Sequence, residues 1–391
     1  MIQLETAVVT TSRADYGLLY PLINKLSLDS YFNLKLIVTG SHLSPVFGNT
    51  VDEIKKDGFT SFYEVHSYLG RDDETGITDA VAKGIIGFSE LFSKEKFDLV
   101  IALGDRYELW SVVVAAVVHK VPIVHIHGGE TTAGSTDEVV RHSVTKSASV
   151  HFPSISQYAR RIISMGEDPK RVFTVGALGI DNIKNSRIMG AMELSKRLGV
   201  DLGKSFAVMT FHPVTMDRYE AAALQVKEIL DAMAEIEIFT IMTMPNADTG
   251  GSSIYKCMED YVKKFPDKFT IIKNMGSAAY LSAMSHADMM IGNSSSGIIE
   301  SASFKLPVVN IGDRQAGRLK PSNVIDCPCQ RAAIKEAVKK ALSKEFRKGL
   351  ENLTNPYGDG NTAHKIVEIL KGIDFKDKEK LLKKKFYDNI L

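Results

Sequence analysis

Short runs rich in valine, isoleucine and leucine alternate along this chain with longer segments whose apolar residues recur at helical spacing. In the first half, residues 6–11, 34–39, 99–103 and 123–126 read as strands, and residues 16–28, 78–92 and 107–118 as amphipathic helices between them. Strands that are apolar at nearly every position are buried on both faces, which requires a parallel sheet with helices on each side. The second half repeats the style at residues 206–210, 238–242, 269–272, 289–291 and 308–311. The pattern therefore predicts an α/β chain of two Rossmann-like, doubly wound lobes rather than one long sheet, and 391 residues are enough for two cores.

The boundary is expected at Val175-Gly176-Ala177-Leu178-Gly179, where two glycines follow an expected strand and precede a polar helical stretch. This divides the chain into a first lobe, 1–177, and a second, 178–365. The Lys-rich tail interleaves Leu381, Leu382, Phe386 and Tyr387, which predicts a last helix over 366–391 packing one face back on the first lobe.

Charge narrows the partners. Lysine plus arginine number 48 against 47 aspartate plus glutamate, a formal net charge of +1, so no global positive field invites nucleic acid or an anionic membrane. The apolar run 109–118 is too short to span a bilayer, and Met1-Ile2-Gln3-Leu4-Glu5 leads into a strand pattern without the basic start of a secretory signal. The expectation is a cytoplasmic protein. Cys257, Cys327 and Cys329 give an odd count without metal-ligand spacing, so free thiols are expected.

Doubly wound lobes bind ligands beyond the carboxyl ends of their strands, so the loops there are the candidates for chemistry. The first, Thr11-Ser12-Arg13-Ala14-Asp15-Tyr16-Gly17, lacks the glycine triplet of a dinucleotide site, but Arg13 can clamp a phosphate at a helix start. Asp15 capping that helix and pairing with Arg13 is the plainer alternative. In Gly104-Asp105-Arg106-Tyr107-Glu108, Asp105 is either a helix cap or a cleft carboxylate. The densest ionisable set is His125-Ile126-His127-Gly128-Gly129-Glu130 followed by Asp137-Glu138 and Arg141-His142. His125 and His127, two apart on a strand end, are expected to face one side, yet nothing completes a metal site with them.

In the second lobe His212 ends a strand, and Gly292-Asn293-Ser294-Ser295-Ser296-Gly297 ends another in small hydroxylated residues at an expected helix start. Free N–H groups and serine hydroxyls there suit a diphosphate, with Glu300 one turn on for a ribose. Arg314 and Arg318 add cations on the next loop.

In series, from Arg13 to Gly360, these motifs resemble the UDP-N-acetylglucosamine 2-epimerase family. The resemblance implies a glycosyltransferase-B architecture with the active site between the lobes. It also implies catalytic roles for Asp105, Glu130, Asp137, His212 and Arg13. UDP would be bound by Arg13, His212, Asn293, Ser294, Ser295, Ser296, Gly297, Glu300, Arg314 and Arg318. His127-Gly128-Gly129-Glu130 and His212-Pro213 look like the hydrolysing branch, which converts UDP-N-acetylglucosamine and water to N-acetylmannosamine and UDP for sialic acid synthesis. A similar branch acts on a UDP-linked 2,4-diacetamido-6-deoxy sugar on the route to legionaminic acid, and the motifs do not separate the two. The partners implied are the UDP-sugar, UDP and a second or further copy of the chain as dimer or tetramer, with no metal and no redox cofactor. A UDP-sugar glycosyltransferase and a non-catalytic UDP-sugar binding module share the same cradle and remain open, as does the choice between Asp137 and Glu138 as a reacting carboxylate.

Overall fold

Alternating apolar side chains along the first strand enter two different clusters, Val8 on one face of a sheet and Ala7 with Val9 on the other, so the strand is buried on both sides. The computed structural model describes residues 3–45, 48–68, 70–71, 73–203, 205–213, 219–244, 251–273 and 275–388. Val214 and Thr215, which continue the His212 loop in sequence, and the last three residues of the expected terminal helix lie outside the described residues.

Six strands, β1 (Leu4–Thr10), β2 (Phe32–Thr39), β3 (Phe62–Val65), β4 (Leu99–Leu103), β5 (Ile123–Ile126) and β6 (Val150–Phe152), form a parallel sheet in the order β3-β2-β1-β4-β5-β6. One face is covered by helices Arg13–Leu28 and Thr362–Lys371 through Leu19, Leu22, Ile23, Ile366, Val367 and Leu370. The other is covered by Glu74–Lys94, Glu108–Val118 and Thr136–Ser147 through Phe88, Val112, Val140 and their neighbours.

A second parallel sheet contains β7 (Phe206–Thr210), β8 (Phe239–Thr243), β9 (Phe269–Ile272), β10 (Met289–Gly292), β11 (Val308–Ile311) and β12 (Val324–Cys327), in the order β12-β11-β10-β7-β8-β9. By rank along the chain both sheets are wound alike. The order reverses between β1 and β4 in one and between β7 and β10 in the other, the places where such sheets hold ligands. The strands that the hydrophobic pattern did not mark, β3, β6 and β12, all lie at sheet edges and have only three or four residues each.

The chain divides into two compact units, Met1–Glu130 with Thr136–Asn182 and Tyr357–Leu391, and Thr131–Ser135 with Ile183–Pro356. The boundary expected after residue 177 lies at 182, because Asp181 belongs to the first unit's hydrogen-bonding: its carboxylate accepts from Thr362 and Ala363 N–H, each at 2.8 Å. Residues 357–365, expected in the second lobe, accordingly join the first. The strand expected before Val175 is only an isolated bridge between His151 and Val172.

The single terminal helix over 366–391 is also corrected. One helix ends at Lys371, and a short one, Lys378–Leu382, follows after Asp374 has drawn the Lys376 N–H at 3.0 Å into a turn. The remaining tail is strapped to the first unit by Lys384, whose ammonium meets the buried Glu167 carboxylate at 2.6 Å and the Ala148 carbonyl at 2.7 Å. Among the described residues no helix is long and apolar enough to cross a membrane, and the three cysteines are free.

Candidate functional site

At the end of β1, Ser12 caps helix Arg13–Leu28, and the Asp15 carboxylate turns back on the loop. It accepts from Thr11 N–H at 2.7 Å, Thr11 Oγ1 at 3.0 Å and Ser12 N–H at 2.6 Å. Asp15 therefore serves the capping box and not Arg13. Arg13 is half-buried in the first turn and, among the described residues, its side chain makes no hydrogen bond or ion pair. Its charge is available to an anion.

At the end of β4, Gly104 turns at φ +80° and Asp105 follows. Asp105 does not cap the next helix, which starts at Glu108 behind Tyr107 with no side-chain cap. Its carboxylate instead meets Nη2 of Arg141 from helix Thr136–Ser147. Arg141, 1% exposed, also donates through Nη1 to Glu138 Oε2 at 2.9 Å and to the Glu130 carbonyl at 3.1 Å. Glu108 is fully buried, paired with Arg106 at 3.1 Å, and burial pushes its carboxyl up from the ordinary range.

The two histidines of β5 part company. His125 is buried, donates from Nε2 to the Gly104 carbonyl at 2.8 Å and accepts at Nδ1 from Thr145 Oγ1 at 3.1 Å. Desolvation lowers its pKa to about 3, so it is a neutral strut under the Gly104–Asp105 turn. His127 has left the strand at φ +62°, so the period-two argument for a shared side fails there. Its Nδ1 donates to Glu130 Oε1 at 2.9 Å, and its Nε2 accepts from Leu178 N–H at 3.4 Å. Ser154 gives the same Glu130 oxygen a second hydrogen bond at 3.2 Å.

Glu130 is thus a buried carboxylate bonded by His127 and Ser154, and Asp105 is a partly exposed one held by a cation. At Gly129, φ +74°, a Cβ would come within 2.5 Å of the Tyr158 carbonyl, so only glycine lets the chain carry Glu130 inward. Asp137 is half-buried in the first turn of its helix, next to Glu138. Among the described residues no group of three or more His, Cys, Asp or Glu could hold a metal.

The second unit has its own constellation at the β7 and β10 ends. Gly292, φ +133°, brings β10 against Thr210 so closely that a Cβ would overlap its carbonyl oxygen. The Asn293 side chain clamps the backbone of His212, and the Asn293 carbonyl accepts from Gln315 Nε2 at 2.8 Å and Arg314 Nη1 at 3.3 Å. Ser294 and Ser296 share a hydroxyl hydrogen bond of 2.9 Å, and the Tyr280 hydroxyl reaches Ser296 Oγ at 2.9 Å.

The helix expected to open here is only Ser296–Ile299, and its first N–H groups are in use: Gly297 N–H goes to the Ser294 carbonyl at 3.2 Å and Ile298 N–H to that of Ser295 at 2.9 Å. Among the described residues the N–H groups of Ser294 and Ser295 remain unbonded, so the open donors lie earlier than the serine–glycine step suggests. Gly297 packs against β11, where a Cβ would approach Val308 Cγ1 to 3.1 Å. Glu300 ends the short helix and is buried. Arg318 spends Nε on the Thr131 carbonyl at 2.7 Å, within the second unit, rather than joining the serine loop.

Arg141 stood in the sequence motif without a role, and its place as a hub depends on the packing of Thr136–Ser147 beside β4. Tyr280, Gln315 and Thr145 carried no sequence signal, since each is a common core or helix residue until its partner is known.

Comparison with known proteins identifies the family. Residues 24–371 match the model of a family described as UDP-N-acetylglucosamine 2-epimerase. The chain is 36% identical to the UDP-N,N'-diacetylbacillosamine 2-epimerase (hydrolyzing) of Legionella pneumophila, over 93% of this chain and 95% of that protein. It is 37% identical to the GDP/UDP-N,N'-diacetylbacillosamine 2-epimerase (hydrolyzing) of Campylobacter jejuni, over 99% and 100%. It is 35% identical to polysialic acid biosynthesis protein P7 of Escherichia coli, over 97% and 96%. Its fold matches that of the Neisseria meningitidis UDP-GlcNAc 2-epimerase solved with UDP-GlcNAc, with TM-score 0.79 at 16% identity over 95% of this chain and all of that one.

Proposed function

We propose that this chain, which belongs to the UDP-N-acetylglucosamine 2-epimerase family and to its hydrolysing branch, acts on UDP-N,N'-diacetylbacillosamine, inverting C2 and releasing the free sugar and UDP. The observation that carries the choice of sugar is the 36% and 37% identity, along nearly the whole chain, to two relatives that bear this substrate in their names. The family resemblance puts UDP-N-acetylglucosamine first, and these identities favour the reverse order. The second reading, UDP-N-acetylglucosamine giving N-acetylmannosamine, is favoured by the family's own description and by the 35% identity to a protein named for polysialic acid synthesis.

The chemistry assigned follows from the substrate. A base takes the C2 proton while the C1–O bond to UDP breaks, the bonding pair leaving with UDP and a C1–C2 double bond forming. Water then adds its oxygen at C1, and a proton returns to C2 on the other face. The steps need a base, an acid and cations facing the leaving diphosphate. Asp105, Glu130 and Asp137 are assigned to proton transfer. Arg13, with a guanidinium that no carboxylate occupies among the described residues, and His212 are assigned to the diphosphate. Ser294, Ser295, Ser296 and Glu300 are assigned to UDP, with Arg314 fixing the loop beneath them.

The assignment invokes no metal and no nicotinamide, and activity abolished by chelation and restored by a divalent ion overturns that part. A cytoplasmic homo-oligomer belongs to the same proposal, with light scattering as the check on assembly. Incubating the protein with each UDP sugar and identifying the released sugar by NMR tests the whole: faster release of the 2,4-diacetamido sugar supports the first reading. Faster release of N-acetylmannosamine installs the second, and sugar transfer to an added acceptor without hydrolysis removes both.

A further inference from the structure

One cation serves two carboxylates in the first unit. Arg141 Nη2 meets Asp105, its Nη1 meets Glu138 Oε2 at 2.9 Å and the Glu130 carbonyl at 3.1 Å, and the side chain is 1% exposed. Among the described residues, no other side chain bonds to the Asp105 carboxylate. The surrounding charges are otherwise engaged. Arg106, next to Asp105, pairs with Glu108; His125 from β5 holds the Gly104 carbonyl; and His142 Nε2, from the same helix as Arg141, meets the other oxygen of Glu138 at 3.2 Å.

We infer that Arg141 is a positioning residue whose shared guanidinium keeps Asp105 ionised and aimed while Glu138 anchors that guanidinium, leaving Asp137 and not Glu138 as the second reacting carboxylate. The inference rests on the hydrolysing 2-epimerase reading. Its physical core is the charge count. A one-to-one pair would hold Asp105 ionised but make it a feeble base, because a neighbouring guanidinium lowers a carboxyl pKa by about one to three units. Sharing the cation with Glu138 leaves the trio at net −1 and returns part of that basicity. Arg141 is suited to the task because its planar fork can bond two carboxylates and a carbonyl at once, which an ammonium does not reproduce. Glu138, held at both oxygens by Arg141 and His142, is committed to anchoring that guanidinium.

The consequence is a pair of opposite shifts. Arg141→Gln removes the counter-charge, so the acidic limb of the kcat/KM profile moves up by about one to three pH units. Glu138→Gln gives Asp105 the whole guanidinium, so the limb moves down, while kcat stays within about tenfold of the parent. Arg141→Lys keeps the charge without the fork, holds the limb near its original place and lowers kcat. UDP affinity by calorimetry stays within about threefold in all three, as expected for residues that act on the chemical step.

Infrared titration of the Asp105 carboxylate band, identified by its loss in Asp105→Asn, reads the same shifts without turnover. An acidic limb and band unmoved in Arg141→Gln, shifts of one sign in both variants, or a loss beyond about a hundredfold in Glu138→Gln each overturn the inference. If Arg141→Gln does not fold, Arg141→Lys and Glu138→Gln still decide it. Parent protein that releases sugar from neither UDP sugar sinks the functional reading instead, and the infrared titration then judges the Arg141 inference by itself.

Discussion

The Asn293 side chain closes a two-bond ring on the backbone of His212: Oδ1 accepts the His212 N–H at 2.7 Å, and Nδ2 donates to the His212 carbonyl at 2.8 Å. Both ends are buried, so the ring fixes the loop after β7 against the loop after β10 at the point where the second sheet reverses order. Asn293→Ala leaves two buried backbone groups unsatisfied, at about 1–3 kcal/mol each. Denaturant unfolding should show that loss, and calorimetry a weaker affinity for UDP. Asn293→Asp, which keeps the acceptor and loses the donor, should fall between. Parent-like stability in Asn293→Ala removes the ring as a determinant of the loop.

Glu300 ends the short helix behind the serine loop and is assigned to the ribose. Calorimetry on Glu300→Ala should return clearly weaker UDP binding with the fold intact; unchanged affinity places the nucleotide elsewhere.

Asp105 and Glu130 should separate from the binding residues in kinetics. Asp105→Asn and Glu130→Gln are expected to lose kcat by about a hundredfold or more while keeping UDP affinity. Near-normal turnover in both leaves them as loop supports.

His125 makes stability depend on acid. A histidine in the unfolded chain titrates near ~6.5, whereas burial holds the folded one at about 3. The stabilisation from its neutral form is complete above the unfolded pKa and is lost as pH falls from ~6.5 toward the folded value, at about 1.4 kcal/mol per pH unit. His125→Gln keeps a donor for the Gly104 carbonyl and cannot titrate. It should be less stable at neutral pH, with a shallower decline on acidification, in urea unfolding followed at several pH values. His151, also lowered by desolvation, is present in both proteins, so the difference isolates His125.

Elimination and hydration predict the fate of isotopes. In deuterated water the released sugar should carry deuterium at C2, and in labelled water the label should appear on the sugar and not on UDP. Retention of the original C2 hydrogen, or labelled UDP, sinks that path.

The hydrophobic pattern was enough for the central strands because burial on both faces leaves an unbroken apolar run, as in β4 and β10. It failed at β12, where the exposed Asp326 interrupts an edge strand, and in the tail, where lysines on every side hide the break after Lys371. In the site, Asp105, Glu130 and the serine loop were legible as strand-end motifs. What was not legible was partnership across the fold. The same aspartate reads as a helix cap until Arg141 is seen beside it, and two histidines two residues apart diverge because the second adopts a positive φ.

The helix Thr362–Lys371 gives the protein an order of manufacture. Ala363, Ile366, Val367 and Leu370 complete the apolar layer that Leu19, Leu22 and Ile23 begin more than three hundred residues earlier. A ribosome delivers the second unit's long stretch, Ile183–Pro356, before that helix. The half made first is therefore finished last: it waits with an open flank while its successor closes, and the nascent chain is most exposed to chaperones and proteases along the face that Leu19 and Leu22 are waiting to bury.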